Sequence, residues 1–255
     1  MTALRVTQRN LWVYRRTWRG SVFGSFLTPL LYLGALGVGL GSFIAAQDDS
    51  ALGGVTYLEF LGPGLLAATC MQTATFEATF PIMGKISWRR NYEAMLAAPL
   101  SVPDLVLGEM GWMAVRLTTI SFAFLVVLTL FGIPTSPLAV LAWPLAVLTG
   151  LGFFTAIMAF TATQKNDSGF AALFRFVINP LFLFSGTFFP VDRLPDGIEF
   201  IAALTPLYHG VALIRGVMLQ TPELANWPIH LGYLVVFLAV AMYLAHRLLF
   251  RRLVK

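Results

Sequence analysis

The chain has 255 residues, of which 58% are hydrophobic and only 11% are charged, against about 25% charged residues in soluble domains. This balance excludes an ordinary water-soluble globular protein and predicts a membrane protein, because apolar runs long enough to cross a bilayer recur along the chain. The net charge of +5 does not indicate nucleic-acid binding, because the Lys and Arg residues fall between the apolar runs. The single cysteine, Cys70, cannot form an internal disulfide.

The first segment, 2–19, combines basic and aromatic residues at helical spacing. Leu4, Leu11 and Trp18 recur seven residues apart, and Trp12 and Tyr14 lie beside them. This pattern predicts a basic amphipathic helix in the membrane interface, in contact with lipid and with its aromatic rings at headgroup depth. An unstructured basic tail is the alternative. The arginines of the segment are Arg5, Arg9, Arg15, Arg16 and Arg19.

Six apolar runs follow and predict an all-α membrane protein with six transmembrane helices. The first run is longer than the core of a signal peptide, so we expect it to be a retained span. An even number of spans places both termini on one side, where fourteen of the seventeen Lys and Arg residues then lie. The positive-inside rule therefore predicts cytoplasmic termini. The predicted spans are 21–46, 59–82, 104–131, 137–163, 169–189 and 229–249.

The first predicted span carries small residues four apart. Gly37 and Gly41 form a Gly-xxx-Gly pair, and Ala35 and Gly39 repeat the spacing. Such a face lets two helices approach closely. A dimer interface and packing within the chain are both compatible with it.

The longest predicted cytoplasmic loop, 84–109, contains a short amphipathic segment at 88–97. Trp88, Tyr92 and Met95 share one stripe at helical spacing, and Pro99 and Pro103 follow the segment. Two exposed aromatic residues beside arginines favour a helix parallel to the membrane that offers a docking surface to a cytoplasmic partner. The residues expected to form this surface are Trp88, Arg89, Arg90, Asn91, Tyr92 and Glu93.

Among the charged residues of the predicted spans and their ends, we expect Glu77, Glu109, Arg116 and Arg175 to be the intramembrane charges. A charge inside a membrane is costly unless it is paired or hydrated. We therefore expect a structural ion pair, for example between Glu77 or Glu109 and an arginine. The lining of a polar cavity is the functional alternative.

Catalytic and metal-binding motifs are missing from the sequence. The Gly84-Lys85 pair has Thr79 where a phosphate-binding loop needs its first glycine, so we expect this chain not to bind ATP through such a loop. The three histidines, His209, His230 and His246, are scattered along the sequence and suggest no metal site. We therefore expect a chain without catalytic residues or cofactors of its own.

The stretch FSGTFFPVDRLP, at 184–195, ends the fifth apolar run. Ser185 and Gly186 loosen the helix end, and Pro190 stops the helix. The following segment is too polar to span a membrane and too apolar to lie free in water. It predicts a re-entrant hairpin of two short amphipathic helices that dips into the outer leaflet between spans five and six.

These same residues carry a family resemblance. SGTFFPVDRLP and TPLYHGVALIRG, together with YLEFLGPGLLAA and the stretch at 76–109, resemble the ABC-2 type transporter permeases. They are similar in particular to the branch of nodulation lipo-oligosaccharide exporters and daunorubicin-type drug exporters. The similarity covers nearly the whole chain, and no large soluble insertion is present.

The resemblance implies a single transmembrane domain, 1–255, that dimerises with a second permease copy and binds two copies of a separate ATPase subunit. That subunit would hold ATP and Mg, and residues 88–97 would form the coupling helix. Residues 194–219 resemble the family's extracellular gate, which here would include Phe188, Phe189, Pro190, Leu207, Tyr208, His209 and Arg215. Such a protein would lie in the inner membrane of a prokaryote and export a drug, glycolipid or oligosaccharide.

Two other functions remain compatible with the residues alone. A secondary carrier driven by an ion gradient would transport without a partner, although the predicted spans contain no pair of carboxylates at mid-membrane. A membrane scaffold or an intramembrane enzyme is the third possibility, and the latter would need a polar catalytic cluster.

Overall fold

The computed structural model describes residues 2–41 and 55–254. Every regular element within these ranges is helical. The first helix, α1, is Thr2–Tyr32 and continues as a π-helix over Leu33–Leu40. The other helices are α2 (Tyr57–Met83), α3 (Asn91–Leu96), α4 (Val102–Leu130), α5 (Ala142–Thr163), α6 (Ser168–Phe184, with a π-helical turn at Phe174–Ile178), α7 (Asp196–Ala203), α8 (Pro206–Leu219) and α9 (Trp227–Leu253).

Three helical stretches in the described ranges are long and apolar enough to cross a membrane, namely Val102–Leu130, Pro137–Thr163 and Pro222–Leu253. They coincide with the predicted spans 104–131, 137–163 and 229–249. A fourth candidate is the pair α7 and α8, which is bent by 80°. Helix α2 occupies the predicted span 59–82, but polar residues such as Gln72 and Glu77 lower its mean hydropathy. The predicted first span, 21–46, extends beyond the described residues.

Helix α1 does not end where the sequence pattern places a boundary. The predicted interfacial helix at 2–19 and the start of the predicted span at 21 form one continuous helix through Tyr32. The junction offers only Gly20 as a helix breaker, and a single glycine inside a helix costs only about 1 kcal/mol. The start of this helix packs against α4.

Two helix starts are determined by local sequence. Thr56 and Glu59 form a reciprocal capping box at the start of α2, and Ser101 and Asp104 do the same for α4. Each pair satisfies backbone N–H groups that have no partner within the helix. Pro103 therefore lies in the first turn of α4, where proline is tolerated, and the helix begins at Val102, two residues before the predicted start of the span at 104.

The helix that leads into the stretch 184–195 ends at Phe184, five residues before the predicted end of the span at 189. Gly186 has φ of +80°, a left-handed conformation that glycine adopts without steric cost. The chain then makes one short helical turn at Val191–Arg193 and enters α7. The Ser-Gly pair thus redirects the chain towards the hairpin formed by α7 and α8.

The core lies where α2 and α9 each pack against α5, with α8 against all three of these helices. Small residues allow close approach here: a Cβ on Gly64 would lie 2.9 Å from the backbone of Thr187. The Thr161 hydroxyl donates to the Ala78 carbonyl, which joins α5 to α2 by a 2.8 Å hydrogen bond. Gly37 packs against Leu58 of the same chain, so at least this glycine of the Gly-xxx-Gly face serves packing within the chain.

Candidate functional site

The loop between α2 and α4 contains α3 and a sharp turn. Arg90 has φ of 48°, the left-handed region that arginine rarely occupies, and this turn reverses the chain just before α3. Trp88 is 58% exposed, and Arg89, Arg90 and Glu93 are exposed. These four residues form what we name the loop surface.

The expectation of two exposed aromatic residues in this loop is wrong for Tyr92. Its side chain is only 1% exposed. It lies next to the Glu109 carboxylate, and burial together with that charge raises the pKa of the Tyr92 phenol well above its usual range. Helix α3 turns Tyr92 inward because the loop folds back onto α4. Tyr92 therefore anchors the loop and is not available for docking.

A buried polar cluster lies beneath the loop surface. The Lys85 ammonium donates to both carboxylate oxygens of Glu109, at 2.6 and 2.7 Å. The Asn10 side-chain amide donates to one of them at 3.0 Å. Glu109 is 1% exposed. We name Asn10, Lys85, Tyr92 and Glu109 the loop cluster; it connects α1, α3, α4 and the π-helical turn Gly84–Trp88 that follows α2.

The sequence did not predict this cluster, because Glu109 was expected to pair with an arginine and instead pairs with Lys85. Lys85 and Asn10 lie 24 and 99 residues from Glu109 in the chain. No periodic pattern relates such positions. A carboxylate on a mainly apolar helix needs a basic partner, and this requirement could have pointed to a lysine such as Lys85 as the partner of Glu109.

Helix α1 approaches α4 closely beside the loop cluster. A Cβ on Gly108 would lie 2.5 Å from Val6 Cβ, and the Thr7 hydroxyl donates to the Gly108 carbonyl at 2.9 Å. The face of α1 that is buried thus contains Val6 and Asn10, whereas the predicted apolar stripe contains Leu4, which is 61% exposed. Gly108 explains the difference, because the absence of a side chain at this position of α4 lets the face of α1 that carries Val6 pack against α4.

The residues predicted for the interfacial helix lie on another side of α1. Trp12 is 78% exposed, and it lines an open groove of about 490 Å³ with Arg5, Gln8, Arg9 and Val13. Arg16 belongs to the same helix, but its side chain lies outside the described part of the structure. The structure thus brings Arg9 and Trp12 together.

The expected ion pair within a span is confirmed for Glu77 and Arg116. An Arg116 guanidinium nitrogen lies 2.9 Å from a Glu77 carboxylate oxygen, and the pair joins α2 to α4. Both side chains are largely buried, with exposed fractions of 22% for Arg116 and 14% for Glu77. Arg175 lies apart from this pair, on the exposed side of the π-helical turn in α6.

The α7–α8 hairpin is held to the core by a buried arginine. One nitrogen of Arg215 donates to the carbonyl oxygens of Phe60 and Gly186, at 3.1 and 2.7 Å. The guanidinium carbon lies 3.8 Å from the centre of the Phe60 ring, a cation–π contact. Arg215, which was predicted to belong to a gate, thus connects α8 to α2 and to the turn after α6.

Two histidines that are scattered in the sequence meet in the structure. The Nδ1 atoms of His209 and His230 are 2.7 Å apart, and the His209 ring stacks on Tyr233 at 3.9 Å between centroids. This contact joins α8 to α9. Within the described ranges no group of three or more potential metal ligands lies together.

The other predicted gate residues lie in the segment that follows α6 and in the first turn of α8. Phe188 packs edge-on against Phe182 with 4.9 Å between ring centroids, and the Phe189 ring lies 6.3 Å from that of Phe184. Leu207 is fully buried. Pro190 and Tyr208 line a cavity of about 550 Å³ that Arg215 also borders.

Comparison with known proteins relates this architecture to a transporter family. The model of the ABC-2 type transporter family matches residues 3–219, which include the loop surface, the loop cluster and the hairpin. Nodulation protein J of Rhizobium leguminosarum bv. viciae is 36% identical over 253 residues, covering 99% of this chain and 95% of that protein.

Two further relatives show the same full-length similarity. Nodulation protein J of Rhizobium meliloti (strain 1021) is 32% identical over 98% of this chain and 93% of its own length. The inner membrane transport permease YadH of Escherichia coli (strain K12) is 24% identical over 94% of this chain and 92% of its own length. The chain therefore belongs to the ABC-2 type transporter family.

Proposed function

We propose that this chain is the permease subunit of an ATP-binding-cassette exporter that moves a lipophilic or lipid-linked molecule outward. The family match over residues 3–219 carries this proposal. The cargo is a drug, a glycolipid or an oligosaccharide. ATP and Mg are held by a separate ATPase subunit, and two copies of this chain assemble with two copies of that subunit.

The proposed topology has six spans within a single domain, 1–255, in the inner membrane. Three of the six spans are the long apolar stretches described above. The other three are α1 with its π-helical continuation, α2 and α6. Helices α7 and α8 form a re-entrant hairpin at the outer surface, which the 80° bend between them supports. Both termini are cytoplasmic in this arrangement, and the exposed face of α1 contacts lipid.

The loop surface is the proposed contact for the ATPase subunit. Its exposed Trp88, Arg89, Arg90 and Glu93 project from a loop that the loop cluster fixes to α1 and α4. A movement of the ATPase subunit against this surface would therefore be transmitted to α1 and α4 through the buried hydrogen bonds of the loop cluster. On the opposite side, the hairpin and the rings of Phe188 and Phe189 would part to release the cargo.

Copurification tests the assembly. The chain is expressed with an ABC ATPase encoded next to it and purified in mild detergent. We expect the two proteins to elute together at one to one, and cargo candidates to stimulate ATP hydrolysis. A chain that elutes alone and moves solute down an ion gradient in liposomes would show that it is a secondary carrier.

Charge changes on the loop surface test the coupling. We expect the Arg89→Ala and Glu93→Ala substitutions to abolish cargo-stimulated ATP hydrolysis without lowering the amount of protein in the membrane. Lys165→Ala is the matched control, because Lys165 is an exposed basic residue in another loop on the same predicted side. Stimulation at the wild-type level in both loop variants would refute the assignment of this surface.

A further inference from the structure

The cavity beside the hairpin, which we name the hairpin cavity, is bordered by charged groups with buried atoms that have no hydrogen-bond partner. It has a volume of about 550 Å³ and is bordered by Glu199 of α7, Arg215 of α8, Arg193 and Glu223. Arg215 is only 5% exposed, yet its Nε has no hydrogen-bond partner. One carboxylate oxygen of Glu223 is also buried without a partner. Unpaired polar groups in such a position are costly, and a ligand that pairs with them would recover that cost.

The charges around the hairpin cavity are of both signs. Two arginines, Arg193 and Arg215, and three acidic residues, Asp192, Glu199 and Glu223, line it. Among these residues, all within the described part of the chain, no guanidinium nitrogen lies within 4.0 Å of a carboxylate oxygen. A simple anion would be repelled by the carboxylates and a simple cation by the arginines. A ligand that carries one charge of each sign matches both sets.

An apolar strip runs along the helix that walls the hairpin cavity. Phe200 follows Glu199 directly in α7, so the two side chains are separated by about 100° around the helix, and Leu204 directly follows the last residue of α7. Phe200 is 67% exposed, Ile201 65% and Leu204 55%. A polar, doubly charged pocket thus adjoins an exposed apolar face on one helix. This is the arrangement that an amphipathic ligand requires.

We propose that the hairpin cavity binds the headgroup of a zwitterionic phospholipid from the outer leaflet. The phosphate lies towards Arg215 and Arg193, and the ammonium group lies towards Glu223 and Glu199. The acyl chains follow the strip formed by Phe200, Ile201 and Leu204. The lipid would brace the hairpin against α2 and α9. Only the choice of the outer leaflet depends on the topology in the proposed function.

Binding of defined lipids to the purified full-length chain tests this site. Native mass spectrometry in detergent measures the affinity for short-chain phosphatidylethanolamine, short-chain phosphatidylglycerol and free phosphoethanolamine. We expect one tight site per chain for phosphatidylethanolamine, with an affinity about tenfold or more above that for the other two. Because the permease is measured alone, failure to find an ATPase partner would leave this result unchanged.

Two variants at the wall of the cavity locate the site. We expect Glu223→Gln and Arg193→Gln each to weaken phosphatidylethanolamine binding about tenfold, the loss of one charge-assisted hydrogen bond. Asp167→Asn removes an exposed carboxylate far from the cavity in sequence and should leave binding unchanged. These variants avoid Arg215, whose hydrogen bonds hold the hairpin.

Three results would overturn the proposal. Equal binding of both phospholipids that neither variant changes would indicate ordinary lipid around the protein. Free phosphoethanolamine binding as tightly as the lipid would indicate a soluble ligand. Displacement of phosphatidylethanolamine by a neutral trisaccharide such as maltotriose would indicate a site for polyhydroxylated molecules.

Discussion

Removal of Lys85 should destabilise the protein more than removal of its partner Glu109. The Glu109 carboxylate is 1% exposed, and Lys85→Met removes its cationic partner and leaves the neutral Asn10 amide as a hydrogen-bond donor at 3.0 Å. Breaking a buried ion pair in this way costs about 3–5 kcal/mol. In Glu109→Gln the remaining Lys85 side chain is 16% exposed and can reach water. We therefore expect a cost of about 1–3 kcal/mol for that variant.

The single cysteine provides the assay. Cys70 is fully buried in α2, so a thiol-reactive fluorogenic dye labels it only when the core opens. One kcal/mol corresponds to about 2–4 °C in melting temperature for a chain of this size, so Lys85→Met should lower the apparent melting temperature by about 6–20 °C. Glu109→Gln should lower it by about half as much or less.

The double variant separates the ion pair from simple loss of packing. Lys85→Met combined with Glu109→Gln leaves no buried charge in the loop cluster, so it should melt well above Lys85→Met alone. A Lys85→Met protein that melts at the wild-type temperature, or a double variant less stable than Lys85→Met, would refute the reasoning.

Three further substitutions probe packing, pairing and capping in the same dye assay. Gly108→Ala would place a Cβ 2.5 Å from an atom of α1 and should cost about 1–3 kcal/mol, whereas Gly232→Ala, with nothing within 4 Å, should not destabilise; equal effects would contradict the close approach. His209→Phe leaves a nitrogen of the buried His230 unpaired and should cost about 1–3 kcal/mol; an unchanged melting temperature would mean that the pair contributes nothing. Ser101→Ala removes the cap of α4 and should cost about 0.5–2 kcal/mol; no loss would show that the other half of the capping box suffices.

The sequence by itself determined the helical class, several boundaries and the family. A long apolar run is recognisable from the sequence alone because it is stable in a bilayer and not in water. The predicted spans 104–131, 137–163 and 229–249 accordingly match long apolar helical stretches of the structure. Ser185 and Gly186, which were predicted to loosen the helix end, directly follow its last residue, Phe184, whereas Pro190 lies beyond it. These features depend on neighbouring residues only, which is why reading along the chain finds them.

Only the tertiary structure decided which polar groups meet. Lys85 rather than an arginine neutralises Glu109, Tyr92 is buried instead of exposed, and His209 reaches His230. Periodicity identifies the apolar face of a helix but not the neighbour that covers it. The Arg215 guanidinium and the Phe60 carbonyl are 155 residues apart in the chain. Their contact, and the hairpin cavity beside it, exist only because packing brings α2 and α8 together.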